Sequence, residues 1–144
     1  MSELTQLYQA TILEHHKHPR GAGRLADATH AAEGHNPLCG DRLTITARIA
    51  DGRVQAVCCD AAACAICRAS GSLLTEAVAG RSLGEVGLLL ERLLRALAAD
   101  AAGQGAGDAE WGPLAPLLHV RHFPGRQRCV TLAWETLRGA LREP

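Results

Sequence analysis

Asp51-Gly52 is the residue pair that most restricts what this chain can become. Ahead of it, Leu43, Ile45, Ala47 and Ile49 alternate with Thr44, Thr46 and Arg48, the period of a half-buried strand. After it, a return strand runs from Arg53 to about Cys59. A two-residue hairpin needs positive φ at both central positions, and Asp-Gly tolerates that better than most pairs. From Cys64 the period turns helical, with Ile66, Ser70, Leu73, Leu74 and Ala77 on one side and Gly80 as the stop.

The flanking segments follow the same logic. Leu4, Leu7, Tyr8 and Ile12 mark a helix over residues 3–18, ended by Pro19 and Gly21. Its terminal run of His15, His16, Lys17 and His18 reads as cations complementing the helix dipole. Residues 22–40 read as a loop closing on NPLCGD, with one further strand pairing expected from residues 24–31. Ser82-Leu-Gly-Glu85 has capping-box spacing and opens a helix through about Ala98. The Gly/Ala-rich DAAGQGAGD at 100–108 is a surface loop, and Pro113 and Pro116 limit residues 111–119 to a turn of helix. Val130, Trp134, Leu137 and Leu141 mark the last helix. The expected fold is a single α+β domain over residues 1–144, with a small antiparallel sheet of about three strands packed with about five helices.

Composition narrows the function. Fifteen Lys+Arg balance fifteen Asp+Glu, which argues against a nucleic-acid binder, and one Phe, one Tyr and two Trp offer little base stacking. A 47% hydrophobic content excludes a disordered chain, and 21% charged residues exclude a membrane protein. MSELTQLYQATILEHH lacks the basic and apolar regions of a secretory signal, so a cytoplasmic location is expected. In that reducing compartment six cysteines, at 39, 58, 59, 64, 67 and 129, point to metal or sulfur chemistry rather than disulfides.

Three pieces of sequence could share one site. In Cys39-Gly40-Asp41, residues two apart in extended backbone point the same way, so thiol and carboxylate can reach one point. Cys64 opens a helix, where free N–H groups and the dipole favour thiolate. Cys129 falls in the first turn of the last helix. Three thiolates and a carboxylate make the four ligands of a tetrahedral Zn²⁺ site. The same residues also read as buried helix-start cysteines and a turn-capping aspartate.

The other cysteines and histidines carry weaker signals. Cys64 and Cys67 form a C-x-x-C at a helix start, which suggests a dithiol redox centre, but no βαβ pattern surrounds it. Cys67 otherwise reads as a small core residue. An ideal hairpin through Asp51-Gly52 would bury Cys58. Both read as structural. His35 and His122 read as loop residues, and His30 and His119 carry no signal.

LYQATILEHHKHPR, NPLCGDRLTI, CAICRASGSLLTEAVAGRSL and FPGRQRC…LAW together resemble the SufU/IscU/NifU family of iron–sulfur assembly proteins, colinearly from about Leu4 to Leu141. The resemblance implies an α+β fold presenting Cys39, Asp41, Cys64 and Cys129 as ligands at one end. It also implies an apolar residue at the Cys59 position, and so a bulge that would bury Cys59 instead of Cys58. IscU-like scaffolds carry a His directly before the last Cys, where this chain has Arg128, so FPGRQRC is more similar to the SufU branch. That branch implies bound zinc and a sulfur acceptor at Cys39, fed by a SufS-like cysteine desulfurase and serving downstream iron–sulfur assembly proteins. Arg126 matches an arginine typical of that branch, placed to offset the net negative charge of three thiolates and a carboxylate on zinc. The alternative is an IscU-type scaffold building a [2Fe–2S] cluster from iron and sulfur at the same ligands. No nucleic-acid or membrane partner is expected.

Overall fold

The computed structural model describes residues 3–38, 40–98 and 108–142. Among them are five α-helices and a three-stranded antiparallel sheet in the order β1-β2-β3. In chain order these are α1 (Glu3–Lys17), β1 (His30–Asn36), β2 (Asp41–Ala50), β3 (Arg53–Ala62), α2 (Ala65–Val78), α3 (Leu83–Ala98), α4 (Ala115–Leu118) and α5 (Gln127–Arg142). A 3-10 segment, Asp108–Leu114, precedes α4, and two short 3-10 turns, His119–His122 and Pro124–Arg126, link α4 to α5. No helix among the described residues is long and apolar enough to cross a membrane.

The hairpin forms where expected. Asp51 and Gly52 have φ of 54° and 69°, so both turn positions are left-handed. The register shifts between Arg48 and Ile49: Ile49 pairs with Val54 while Arg48 pairs with Ala56, leaving Gln55 as the extra residue of a bulge. The bulge reverses the facing of β3, so Val54, Val57 and Cys59 are buried and Cys58 is only half-buried. That decides the sequence's open alternative in favour of Cys59. Gly71 of α2 faces it, and a Cβ there would stand 2.6 Å from Cys59 Sγ. Only glycine permits that approach of helix to strand.

The third strand is a correction. It runs from His30 to Asn36 rather than within residues 24–31, pairing His30 with Ala47 and Asn36 with Asp41. HAAEGHN has no β-branched residue, and as an edge strand it draws its pairing from β2 rather than from its own propensity. The segment before it touches the sheet through Leu25 N–H, which donates to Thr46 Oγ1 at 3.0 Å. The expected loop at 100–108 lies, but for Asp108, outside the described residues.

Helices α2 and α5 cover the sheet, α2 against β3 and α5 against β1 and β2, while α1 packs on α2 and α3 on α5. Leu43, Ile45 and Ala47 of β2 meet Leu73, Leu74, Val130 and Leu137 in the core. A buried polar chain fixes α2 against α5: Trp134 Nε1–H donates to Ser70 Oγ at 2.9 Å, and Ser70 O–H donates to the Val130 carbonyl at 2.7 Å. The capping box is reciprocal, with Ser82 N–H to Glu85 Oε1 at 3.0 Å and Glu85 N–H to Ser82 Oγ at 3.1 Å.

His15 also departs from expectation. It is buried, with Nδ1 hydrogen-bonded to Ser72 Oγ at 2.7 Å, so it fastens α1 to α2 instead of serving the helix dipole in solvent. Burial first, and the Arg20 charge second, push its pKa down.

Candidate metal centre

Three chain segments end at one place: the start of β2, the start of α2 and the first turn of α5. They carry Asp41, Cys64 and Cys129, whose ligand atoms all lie within 4.8 Å of one another. Asp41 and Cys129 are buried and Cys64 is half-buried. Each is held by its own element. Asp41 closes the β1–β2 ladder opposite Asn36. Cys64 is the N-cap of α2, in extended backbone at φ −66° and ψ 166°, and its sulfur accepts the Cys67 N–H at 3.4 Å. Cys129 is set by α5, which the Ser70–Trp134 chain ties to α2.

Asp41 and Cys64 are joined directly. The Cys64 N–H donates to Asp41 Oδ1 at 2.9 Å, and the Cys64 thiol points to Asp41 Oδ2 at 3.7 Å. The carboxylate thereby takes up an N–H at the start of α2 that would otherwise lack a partner. Asp41 thus caps α2 and is also a candidate ligand, whereas the sequence offered either a ligand or the cap of a turn.

Cys39 lies outside the described residues. On either side of it in the sequence, Leu38 is 94% exposed and Gly40 has φ +74°, with Gly40 N–H donating to the Asn36 carbonyl at 2.9 Å. Arg126 is exposed at the end of the 3-10 turn before α5. Arg128 is directed along α5 to Glu135 at 3.5 Å. His35 is exposed on β1, and His122 is exposed with its ring against His119; neither belongs to the Asp41–Cys64–Cys129 group.

Sequence reasoning missed Tyr8 and His119 at this end of the molecule. Tyr8, read only as part of an apolar face, is buried, stacked on Phe123 with centroids 6.1 Å apart and tilted against the His119 ring at 5.1 Å. Burial raises its pKa, the Arg126 charge opposes that, and Cys129 and Cys64 add smaller contributions in the same sense as burial. His119 is buried, with Nε2 3.1 Å from Thr5 Oγ1 and Nδ1 without a hydrogen-bond partner among the described residues. The available signal was scarcity: one Tyr and one Phe in the whole chain, and they meet here.

A model of the NifU-like N-terminal domain matches residues 7–104. The chain belongs to the NifU-like N-terminal family. Among its curated relatives, the zinc-dependent sulfurtransferase SufU of Bacillus subtilis is 31% identical, with 99% of this chain and 95% of the relative covered. The iron–sulfur cluster assembly scaffold protein IscU of Streptococcus pyogenes is also 31% identical, covering 99% of this chain and 87% of the relative. The backbone superposes with a TM-score of 0.82 on a crystal structure described as a candidate SUF-system iron–sulfur scaffold from Fervidobacterium islandicum. That protein is 25% identical, and the match covers 94% of this chain and 97% of the other. The α+β fold expected from the sequence is therefore the fold of the NifU-like N-terminal family.

The donor set suits a borderline-soft cation. Two sulfurs and one carboxylate oxygen are zinc ligands, and bond lengths of about 2.0–2.3 Å put tetrahedral donors about 3–4 Å apart. The present separations, all within 4.8 Å, would need only a small inward movement, and a tetrahedral site would need one further donor.

Proposed function

We propose that this protein serves iron–sulfur cluster assembly as a zinc-holding sulfur acceptor, taking persulfide sulfur from a partner cysteine desulfurase through Cys39. The observation that carries the reading is the convergence of Asp41, Cys64 and Cys129 within 4.8 Å, beside a sequence that places Cys39 two residues before Asp41. The zinc-dependent sulfurtransferase among its relatives supports it.

Bound zinc would hold its thiol ligands as thiolates at neutral pH. The chain's own residues divide the work. Cys64 and Cys129 are anchored on helix starts and stay with the metal, and Asp41 adds a harder oxygen ligand. Cys39 precedes Gly40 in the sequence and is the ligand that leaves the metal to accept sulfur. Its thiolate attacks the terminal sulfur of the partner's persulfide. A new S–S bond forms on Cys39, the partner's S–S bond breaks, and the partner cysteine departs as thiolate. Arg126 offsets the site's negative charge. A cytoplasmic setting, where thiols remain reduced, suits this chemistry.

The alternative, a scaffold for a [2Fe–2S] cluster at the same ligands, is favoured by the relatives named IscU. Desulfurase turnover with and without the protein separates the two. A colourless, zinc-loaded protein that accelerates alanine release, and a Cys39→Ala variant that does not, support the acceptor. Visible charge-transfer absorption in the purified protein, with full stimulation by Cys39→Ala, would overturn it.

A further inference from the structure

Cys67 is a thiol that the metal centre leaves without a use. It is fully buried one turn inside α2, directly behind the half-exposed Cys64. Its N–H donates to Cys64 Sγ at 3.4 Å, and the Cys64 carbonyl accepts from Arg68 N–H at 2.9 Å, so the turn joining the two cysteines is closed. Residues one helical turn apart have Cβ atoms about 5–6 Å apart, farther than the roughly 3.5–4.5 Å a disulfide needs, so one of the two side chains must lean over the turn. The extended backbone of Cys64 lets its side chain fold back over the turn, as the N–H···S contact shows. The result is an accessible thiol at a helix cap with a buried thiol one turn behind it.

We propose that Cys64 and Cys67 form a redox-active dithiol, which hydroperoxides oxidise to a disulfide across the first turn of α2 when no metal is held. Cys64, the more accessible, reacts first. Its sulfur takes one peroxide oxygen as the O–O bond breaks, giving a sulfenic acid and an alcohol, or water from hydrogen peroxide. Cys67 then attacks that sulfur; the S–S bond forms and water leaves with the Cys67 proton. The two thiols lose two electrons and the peroxide gains them.

Cys129 is the rival partner, since its sulfur belongs to the same group as that of Cys64. It sits on a different helix. A bond to it would draw α5 toward α2 against the Ser70–Trp134 hydrogen bonds, whereas the Cys64–Cys67 bond stays within one turn. The disulfide takes Cys64 out of the donor set, so the oxidised protein cannot load zinc until a thiol reductant restores it. This inference goes beyond the sulfur-acceptor reading and needs only the two thiols.

The test is tryptic mapping of the full chain, stripped with a chelator and treated with hydrogen peroxide. Cleavage at Arg53 and Arg68 releases Val54–Arg68 with Cys58, Cys59, Cys64 and Cys67, while Cys129 lies in Cys129–Arg138 and Cys39 in Leu25–Arg42. The expected product is Val54–Arg68 lighter by two hydrogens, with fragment ions assigning the bond to Cys64–Cys67. Loss of stoichiometric zinc uptake should accompany it, reversed by dithiothreitol. In Cys67→Ala the sulfenic acid on Cys64 should persist and be trapped by dimedone, a readout that does not depend on the variant's stability. A bond from Cys64 to Cys129 or Cys39, a bond using Cys59, or an untouched Cys64–Cys67 pair would overturn the proposal. Failure of the sulfur-acceptor reading would leave this result unchanged, because the mapping uses metal-free protein and no desulfurase.

Discussion

The Asp41 carboxylate accepts the backbone N–H of Cys64 at 2.9 Å through one oxygen and receives the Cys64 thiol at 3.7 Å with the other. The start of β2 is thereby pinned to the start of α2 by a residue that also belongs to the candidate metal centre. Fold and site share this one side chain.

Removing the carboxylate should therefore act twice. Asp41→Ala leaves the Cys64 N–H without its acceptor, which costs about 1–2 kcal/mol. Urea unfolding of metal-free protein measures that loss, and competition titration with a zinc chelator measures the loss of affinity. Asp41→Asn keeps an acceptor oxygen and should recover most of the stability but little of the affinity. Equal recovery of both would show that Asp41 caps without ligating.

Ser70 is the clamp between the helices that carry Cys64 and Cys129. Ser70→Ala strands the buried Trp134 Nε1–H, at a cost of about 1–3 kcal/mol. It should also weaken zinc binding although Ser70 belongs to no ligand set. Unchanged affinity in a destabilised variant would mean that the sulfur positions do not depend on this contact.

The β3 bulge makes neighbouring cysteines unequal. Cys59→Ser puts a hydroxyl into the core and should cost about 1–3 kcal/mol, while Cys58→Ser should stay within about 0.5 kcal/mol. Alkylation should follow the same order. Burial, with smaller contributions from Asp60 and Cys58, pushes the Cys59 thiol up to about 12, so maleimide at neutral pH should label Cys58 well before it.

Acid should loosen the attachment of α1. Burial depresses the pKa of both His15 and His119, with Arg20 and His122 acting in the same sense. The folded state therefore favours neutral rings, and below the ordinary histidine value of 6.5 the unfolded chain binds more protons. Stability should be full above that pH and fall as the pH drops through it toward the depressed folded values. His15→Gln should flatten the fall in a thermal-unfolding series between pH 7.5 and 5.

Much of this was legible because backbone chemistry is local. Asp51-Gly52 fixed the hairpin, Ser82 and Glu85 opened α3, and the short α4 falls where Pro113 and Pro116 allowed only a turn of α-helix. The third strand was not legible, since His30–Asn36 takes its conformation from pairing with β2. The role of His15 was hidden for a related reason: its partner Ser72 is far along the chain, and a histidine at a helix end looks the same whether solvated or buried. At the site, the spacing of Cys39 and Asp41 and the helix-start positions of Cys64 and Cys129 marked the candidates, and the family resemblance joined them. Only the tertiary structure could show Asp41 capping α2 and Tyr8 packing against Phe123 and His119.

X-ray absorption at the zinc edge of the purified protein addresses the central claim most directly. The account predicts a four-coordinate site with three sulfurs at about 2.3 Å and one oxygen at about 2.0 Å, losing one sulfur in Cys39→Ala. A shell without oxygen, a shell dominated by nitrogen and oxygen, or an unchanged sulfur count in Cys39→Ala would contradict it.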